Sequence, residues 1–309
     1  MSELSVAQQQ EKKHAALTSV IAAVGLTSFK IVVGALTGSL GILAEAAHSA
    51  LDLVAALVTF LAVRISGKPA DEEHHYGHGK VESLSALFET LLLLATCVWI
   101  IYEAIQRLFF KVVEIEVSVW AFVVMVVSII VDVNRSRMLY AAARKHNSQA
   151  LEADALHFST DIWSSSVVIL GLTGVWISER VPQLKFLQHA DAVAALGVAV
   201  IVIFISMELG IRTVKGLMDT APQGAVESIK KAVEEIPGVI NCHQIRVRSS
   251  GAEVFVDCHV VVSSEWSLQQ THDLADQIEA VIQQQLPGAD VTVHPEPGAA
   301  NPSTTKEAI

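Results

Sequence analysis

The 309-residue chain is 52% hydrophobic and only 17% charged, with a mean hydropathy of +0.47. Soluble domains carry about 25% charged residues, so this apolar excess points to an integral membrane protein. A net charge of −11 argues against a nucleic-acid partner, and three scattered cysteines (Cys97, Cys242, Cys258) argue against a disulfide framework.

The chain opens on a polar stretch, MSELSVAQQQEKK, without a small-residue cleavage site, so residues 1–14 are expected to form a polar N-terminal tail rather than a removable signal. A transmembrane domain over 15–212 follows. Six apolar spans can be drawn at 16–36, 40–63, 84–102, 117–133, 150–177 and 190–211, each near the ~20 residues a membrane helix needs. With the N-terminus inside, the cytosolic segments hold eleven Lys/Arg and the outer loops four (Arg107, Lys111, Arg180, Lys185), so both termini are expected in the cytosol.

Residues 213–296 read as a small cytosolic α+β domain. A helix at 224–236 stops at Pro237-Gly238, and strands at 240–248 and 254–262 are joined by Ser249-Ser250-Gly251. An amphipathic helix at 268–286 ends at Pro287-Gly288, and a short strand at 291–294 closes the domain. The α-β-β-α-β order predicts helices on one face of a ferredoxin-like sheet. From Gly216 onward there are 13 Asp/Glu against 5 Lys/Arg, an acidic balance that suits cations. Residues 297–309, rich in Pro, Ala and Ser/Thr, are expected to be disordered.

Two His–Asp pairs stand out, His48 with Asp52 in the second span and His157 with Asp161 in the fifth. Residues four apart lie on one helix face, one turn above the other. Ionisable groups in hydrocarbon are costly and mark a pathway or a partner. Two imidazoles and two carboxylates suit a four-coordinate divalent cation, Zn²⁺ first. Glu45 and Asp154 each precede a His by three residues and share its face, where they could orient an imidazole or line a cavity. Lys30 in the first span either snorkels to the membrane edge or neutralises a buried acid. Two further groups could ligate metal. Asp71, His74 and His78 crowd the loop after span two, and His243, His259, His272, His294 and Glu296 are spread through the tail domain. Cys242 and Cys258 neighbour two of these histidines, and side-chain alternation along a strand makes them core residues rather than ligands.

The stretches GSLGILAEAAHSALDLVAALVTF, PADEEHHYGHGKVESLSALFE, EADALHFSTD, IPGVINCHQIRVRSSGAEVFVDCHVV and GADVTVHPEP occur in the order found in cation diffusion facilitators. The chain resembles that family of dimeric, proton-coupled divalent-metal exporters, and the resemblance to its bacterial members implies a place in the inner membrane. The resemblance implies that His48, Asp52, His157 and Asp161 form a tetrahedral transport site between spans two and five. It also implies a loop site at Asp71, His74 and His78, and a metal pair bound by His243, His259, His272, His294 and Glu296 at the interface of a homodimer. Lys80 and Asp219 match a charge pair linking membrane and tail domains between protomers. Some bacterial members carry Asp where this chain has His48, and His there is associated with zinc-selective members, which favours Zn²⁺ over Fe²⁺ or Mn²⁺.

Metal binds deprotonated ligands, so loading releases protons and protonation releases metal. Alternating access would then exchange cytosolic Zn²⁺ for protons across the lipid bilayer. The alternatives are an Fe²⁺, Cd²⁺ or Mn²⁺ exporter of the same family and a metal sensor or scaffold that moves nothing. A metalloenzyme is disfavoured, because H-E-x-x-H and G-x-S-x-G are absent and four ligands leave no open position.

Overall fold

A computed structural model describes residues 3–109, 119–180, 190–251 and 253–298. The chain divides into two compact units at Val214/Lys215. The first contains helices α1 (Glu3–Thr37), α2 (Leu40–Ser66), α3 (Lys80–Phe109), α4 (Val119–His146), α5 (Gln149–Arg180) and most of α6 (Ala190–Leu217). α1 packs along α2 and α4, α4 along α5, and α3 against both α2 and α5.

The burial pattern of this unit is inverted relative to a soluble bundle. Ile21, Leu36, Leu40, Leu51, Val98, Trp99 and Phe204 point outward, while Ser19, Asp52, Glu89, Asp132 and Asp154 are buried. Hydrocarbon offers nothing to polar groups, so they turn inward, and small residues such as Ala16, Ala56, Ala150 and Ala155 let the helices approach closely. Among the described residues, five helices (α1, α2, α3, α4 and α6) have spans long and apolar enough to cross a membrane. The sixth, α5, carries Glu152, Asp154, His157 and Asp161 in its first half.

α1 begins at Glu3, so the segment expected to be a polar tail is helical. Gln9 and Lys12 of this segment are buried: Gln9 Nε2 donates to the Val63 carbonyl at 2.5 Å, and a Cβ on Gly67 would collide with Gln9 at 2.2 Å. Asn147, in left-handed backbone (φ 49°), ends α4, and the Ser148 carbonyl accepts from the Glu152 N–H of α5 at 3.1 Å. The expected loop residues Lys111 and Lys185 lie outside the described residues.

The second unit comprises α7 (Ala225–Glu234), β1 (Asn241–Ser250), β2 (Glu253–Val262), α8 (Leu268–Gln285) and β3 (Asp290–Pro297). The strands are ordered β1-β2-β3, with β1/β2 antiparallel and β2/β3 parallel. Ile229 and Val233 of α7 and Leu274, Ile278 and Ile282 of α8 cover one sheet face, packing on Cys242, Val247, Val256, Cys258, Val260 and Val262. Both cysteines are buried there as free thiols.

Cys242 and Val247 are five residues apart yet both buried, which a regular period-2 strand forbids. A bulge between His243 and Arg246, with Gln244 at φ 48°, absorbs the extra residue. β3 runs to Pro297, and the Gly298 N–H donates to the Val262 carbonyl at 2.7 Å, so order extends two residues past the expected boundary. The rest of the segment expected to be disordered, 299–309, lies outside the described residues.

Candidate metal centres

The two His–Asp pairs meet between α2 and α5. His157 Nε2 lies 3.2 Å from Asp52 Oδ1 and 3.7 Å from Asp161 Oδ2. His48 Nε2 lies 3.9 Å from Asp52 Oδ1 and 3.8 Å from Asp161 Oδ1. Imidazole and carboxylate thus alternate around a closed ring of four. The His157 side chain is 8% exposed and that of His48 44%, so the ring has a sealed corner and an open one.

Neither of the acids three residues upstream hydrogen-bonds an imidazole. Asp154 is buried and accepts from Ser19 Oγ at 3.1 Å, while half-exposed Glu45 pairs with Lys30 at 3.3 Å. Helix spacing placed each on the right face, but the partner came from α1.

Residues outside the sequence-derived set flank the ring or brace the helices that carry it. Arg135 of α4 is buried; its Nη1 lies 3.5 Å from Asp132 Oδ1, its Nη2 donates to Ser19 Oγ at 3.0 Å, and its guanidinium sits 3.5 Å over the Phe158 ring. Glu89 of α3 is fully buried and accepts from Thr59, with its second oxygen left without a hydrogen-bond partner. At the start of α3, buried Glu82 accepts from Lys12 Nζ at 2.7 Å, from Ser66 Oγ at 2.7 Å and from Ser148 Oγ, tying α1, α2, α3 and the start of α5 together. The signal for Glu89 and Asp132 was available, since each is an acid inside an apolar run.

In the loop between α2 and α3, Asp71 Oδ1 lies 3.2 Å from His74 Nδ1 and Asp71 Oδ2 3.3 Å from His78 Nε2. The backbone N–H of His74 donates to Asp71 Oδ1 at 2.7 Å, and this bond holds the carboxyl below its ordinary pKa. The three side chains could ligate one ion. Lys80 follows at the start of α3, and Asp219 adopts left-handed backbone (φ 57°) after α6.

In the tail unit, His243 on β1 is in register with His259 on β2, and His259 with His294 on β3. The three form a row on the sheet face opposite the helices, with ring centroids 5.6 and 4.7 Å apart. Glu296, two residues beyond His294, lies 2.7 Å from His259 Nδ1 and 3.4 Å from His243 Nε2. The bond to His259 lowers the Glu296 pKa. The donor set fits a divalent ion: two imidazole nitrogens and a carboxylate converge. His272 stands apart on α8, 3.8 Å from Asp276 and largely exposed.

Residues 16–218 match the cation efflux transmembrane domain, and 221–298 match the cytoplasmic domain of cation efflux proteins. The chain is 32% identical over 293 residues to the cation-efflux pump FieF of Yersinia enterocolitica, with 94% of each chain covered. Its likeness to the corresponding pump of Cronobacter sakazakii is 32% over 290 residues, again at 94% coverage of both. A MamM CTD structure covers 25% of this chain and 98% of its own at 22% identity, with a TM-score of 0.24. Family matches along both units, together with five apolar helices, make this a multi-pass membrane protein: the chain belongs to the cation efflux, or cation diffusion facilitator, family, whose members are metal transporters and not enzymes.

Proposed function

We propose that this transporter exports Zn²⁺ from the cytosol in exchange for protons, by alternating access through His48, Asp52, His157 and Asp161. The observation that carries the reading is the closed ring of alternating imidazole and carboxylate atoms, with spacings of 3.2 to 3.9 Å. Zinc–nitrogen and zinc–oxygen bonds near 2.0–2.1 Å place tetrahedral ligands about 3.3 Å apart. Donor atoms of His48, Asp52 and Asp161 already converge, and His157, 3.2 Å from Asp52, would move in to complete the tetrahedron. Nitrogen at two corners favours Zn²⁺ or Cd²⁺ over harder ions.

The same ligands must lose protons to bind metal, so protonation from the outer side would expel it. The cytoplasmic-domain match over 221–298 and the Lys/Arg bias support cytosolic termini in a bacterial inner membrane. A homodimer is part of the proposal, with Lys80 and Asp219 as its inter-domain charge pair. Asp71, His74 and His78 would hold a second ion. His243, His259, His294 and Glu296 would hold resident metal in the tail, with His272 contributing only across the homodimer interface.

Proteoliposomes with an imposed pH gradient test the reading. Zn²⁺ uptake should rise with the gradient and be accompanied by counter-movement of protons. Zn²⁺ binding without flux would replace the exporter with a sensor.

A further inference from the structure

Lys30 sits within α1, and its side chain is only 5% exposed. A lysine in an apolar helix usually snorkels to water. This one turns inward: Nζ donates to Ser49 Oγ at 2.8 Å and pairs with Glu45 Oε2 at 3.3 Å. The contact is held by Thr27, three residues earlier on α1, whose hydroxyl donates to the Ser49 carbonyl at 3.0 Å. Ser49 follows His48 directly, and Glu45 lies one turn before it, so the ammonium is held against the stretch of α2 that carries the open corner of the ring.

Lys30 acts electrostatically on Asp161 and on Asp132, and Asp132 in turn on Asp52 and Asp161. The charged and titratable groups around this space are Lys30 on α1, Glu45, His48 and Asp52 on α2, Asp132 and Arg135 on α4, and His157 and Asp161 on α5. Arg135 is engaged with Asp132 and Ser19.

We propose that Lys30 is a built-in counter-ion of the transport site, whose fixed positive charge weakens binding of the divalent ion so that it can leave. The inference rests on the transport-site reading above. Two carboxylates and two imidazoles in a region of low dielectric attract a dication strongly, and a transporter that binds too tightly cannot release. A lysine within electrostatic reach opposes that attraction without removing a ligand. In the metal-free state it also offsets the mutual repulsion of the carboxylates.

The test is Zn²⁺ transport by the full-length protein in proteoliposomes, with Lys30→Met, Lys30→Gln and Lys30→Arg compared at fixed pH on both sides. Both neutral variants should lower KM by about tenfold, or about 1.4 kcal/mol, and lower kcat as release slows. Lys30→Arg should keep KM within about threefold of the parent. Adding Glu45→Gln to Lys30→Met removes one charge of each sign and should return KM toward the parent value. A KM unchanged or raised in both neutral variants, or loss of the folded protein in both, makes Lys30 a packing element and overturns the proposal. Asp161→Ala in the same vesicles separates the two readings: wild-type transport by that variant sinks the site itself, whereas loss of transport there with no KM shift at Lys30 sinks only the counter-ion.

Discussion

Asp52 and Asp161 each face both imidazoles, so neither carboxylate has a spare in the ring. Alanine at either position leaves three ligands and one negative charge fewer, and Zn²⁺ flux should fall at least about a hundredfold in protein that remains folded. Wild-type flux from either variant would move the site elsewhere. His48 occupies the open corner, and His48→Asp exchanges a borderline nitrogen for a hard oxygen. Competition assays in vesicles should then show transport broadened toward Fe²⁺ and Mn²⁺, and an unchanged metal profile would remove His48 from selection. These four residues were legible in the sequence because spacing of four along a helix is a statement about geometry. Lys30 and Asp132 were visible as charges inside apolar runs, but their partners, and the role of Arg135, were not, because what they touch depends on α1 and α4 packing beside α2 and α5, and no local pattern encodes that.

In single elements, the tail unit offers cleaner measurements, since it has its own core. The α-β-β-α-β order and the apolar faces of both helices could be read directly. The bulge could not: Ile240 and Cys242 suggest one phase of alternation, Ile245 and Val247 the other, and only pairing with β2 shows where the phase changes. Gly238, at φ 102°, is pressed against Trp266, where a Cβ would come within 2.2 Å of the indole. Gly238→Ala combines backbone strain with a clash and should cost at least about 2 kcal/mol in urea unfolding of residues 215–309. Ser267 caps α8 in a reciprocal capping box with Gln270. Ser267→Ala should cost about 1 kcal/mol by the same measurement.

Across the whole molecule, resident metal in the tail should act as a stabiliser. Zn²⁺ at a hundredfold excess over its dissociation constant contributes about 2.7 kcal/mol to the state that binds it. For a domain of this size that is a rise in Tm on the order of 10 °C. His259→Ala and Glu296→Ala should each remove most of the rise, and a Tm indifferent to Zn²⁺ would detach the histidine row from metal. His272 was grouped with the row because the family resemblance implied it. Its place on α8, while His243, His259 and His294 share the opposite sheet face, separates it from them within one chain.

The row also has a mechanical side. It runs across the strands, at right angles to the chain, and its last members lie on β3, which among the described residues pairs with β2 alone. Pulled from the carboxyl end, such a strand unzips one hydrogen bond at a time, a mode that yields at low force. A metal shared by His259 and Glu296 would bolt β3 to β2 near the point where peeling starts. Single-molecule stretching should therefore show β3 detaching early at low force in chelator, and together with the rest of the unit at higher force in Zn²⁺.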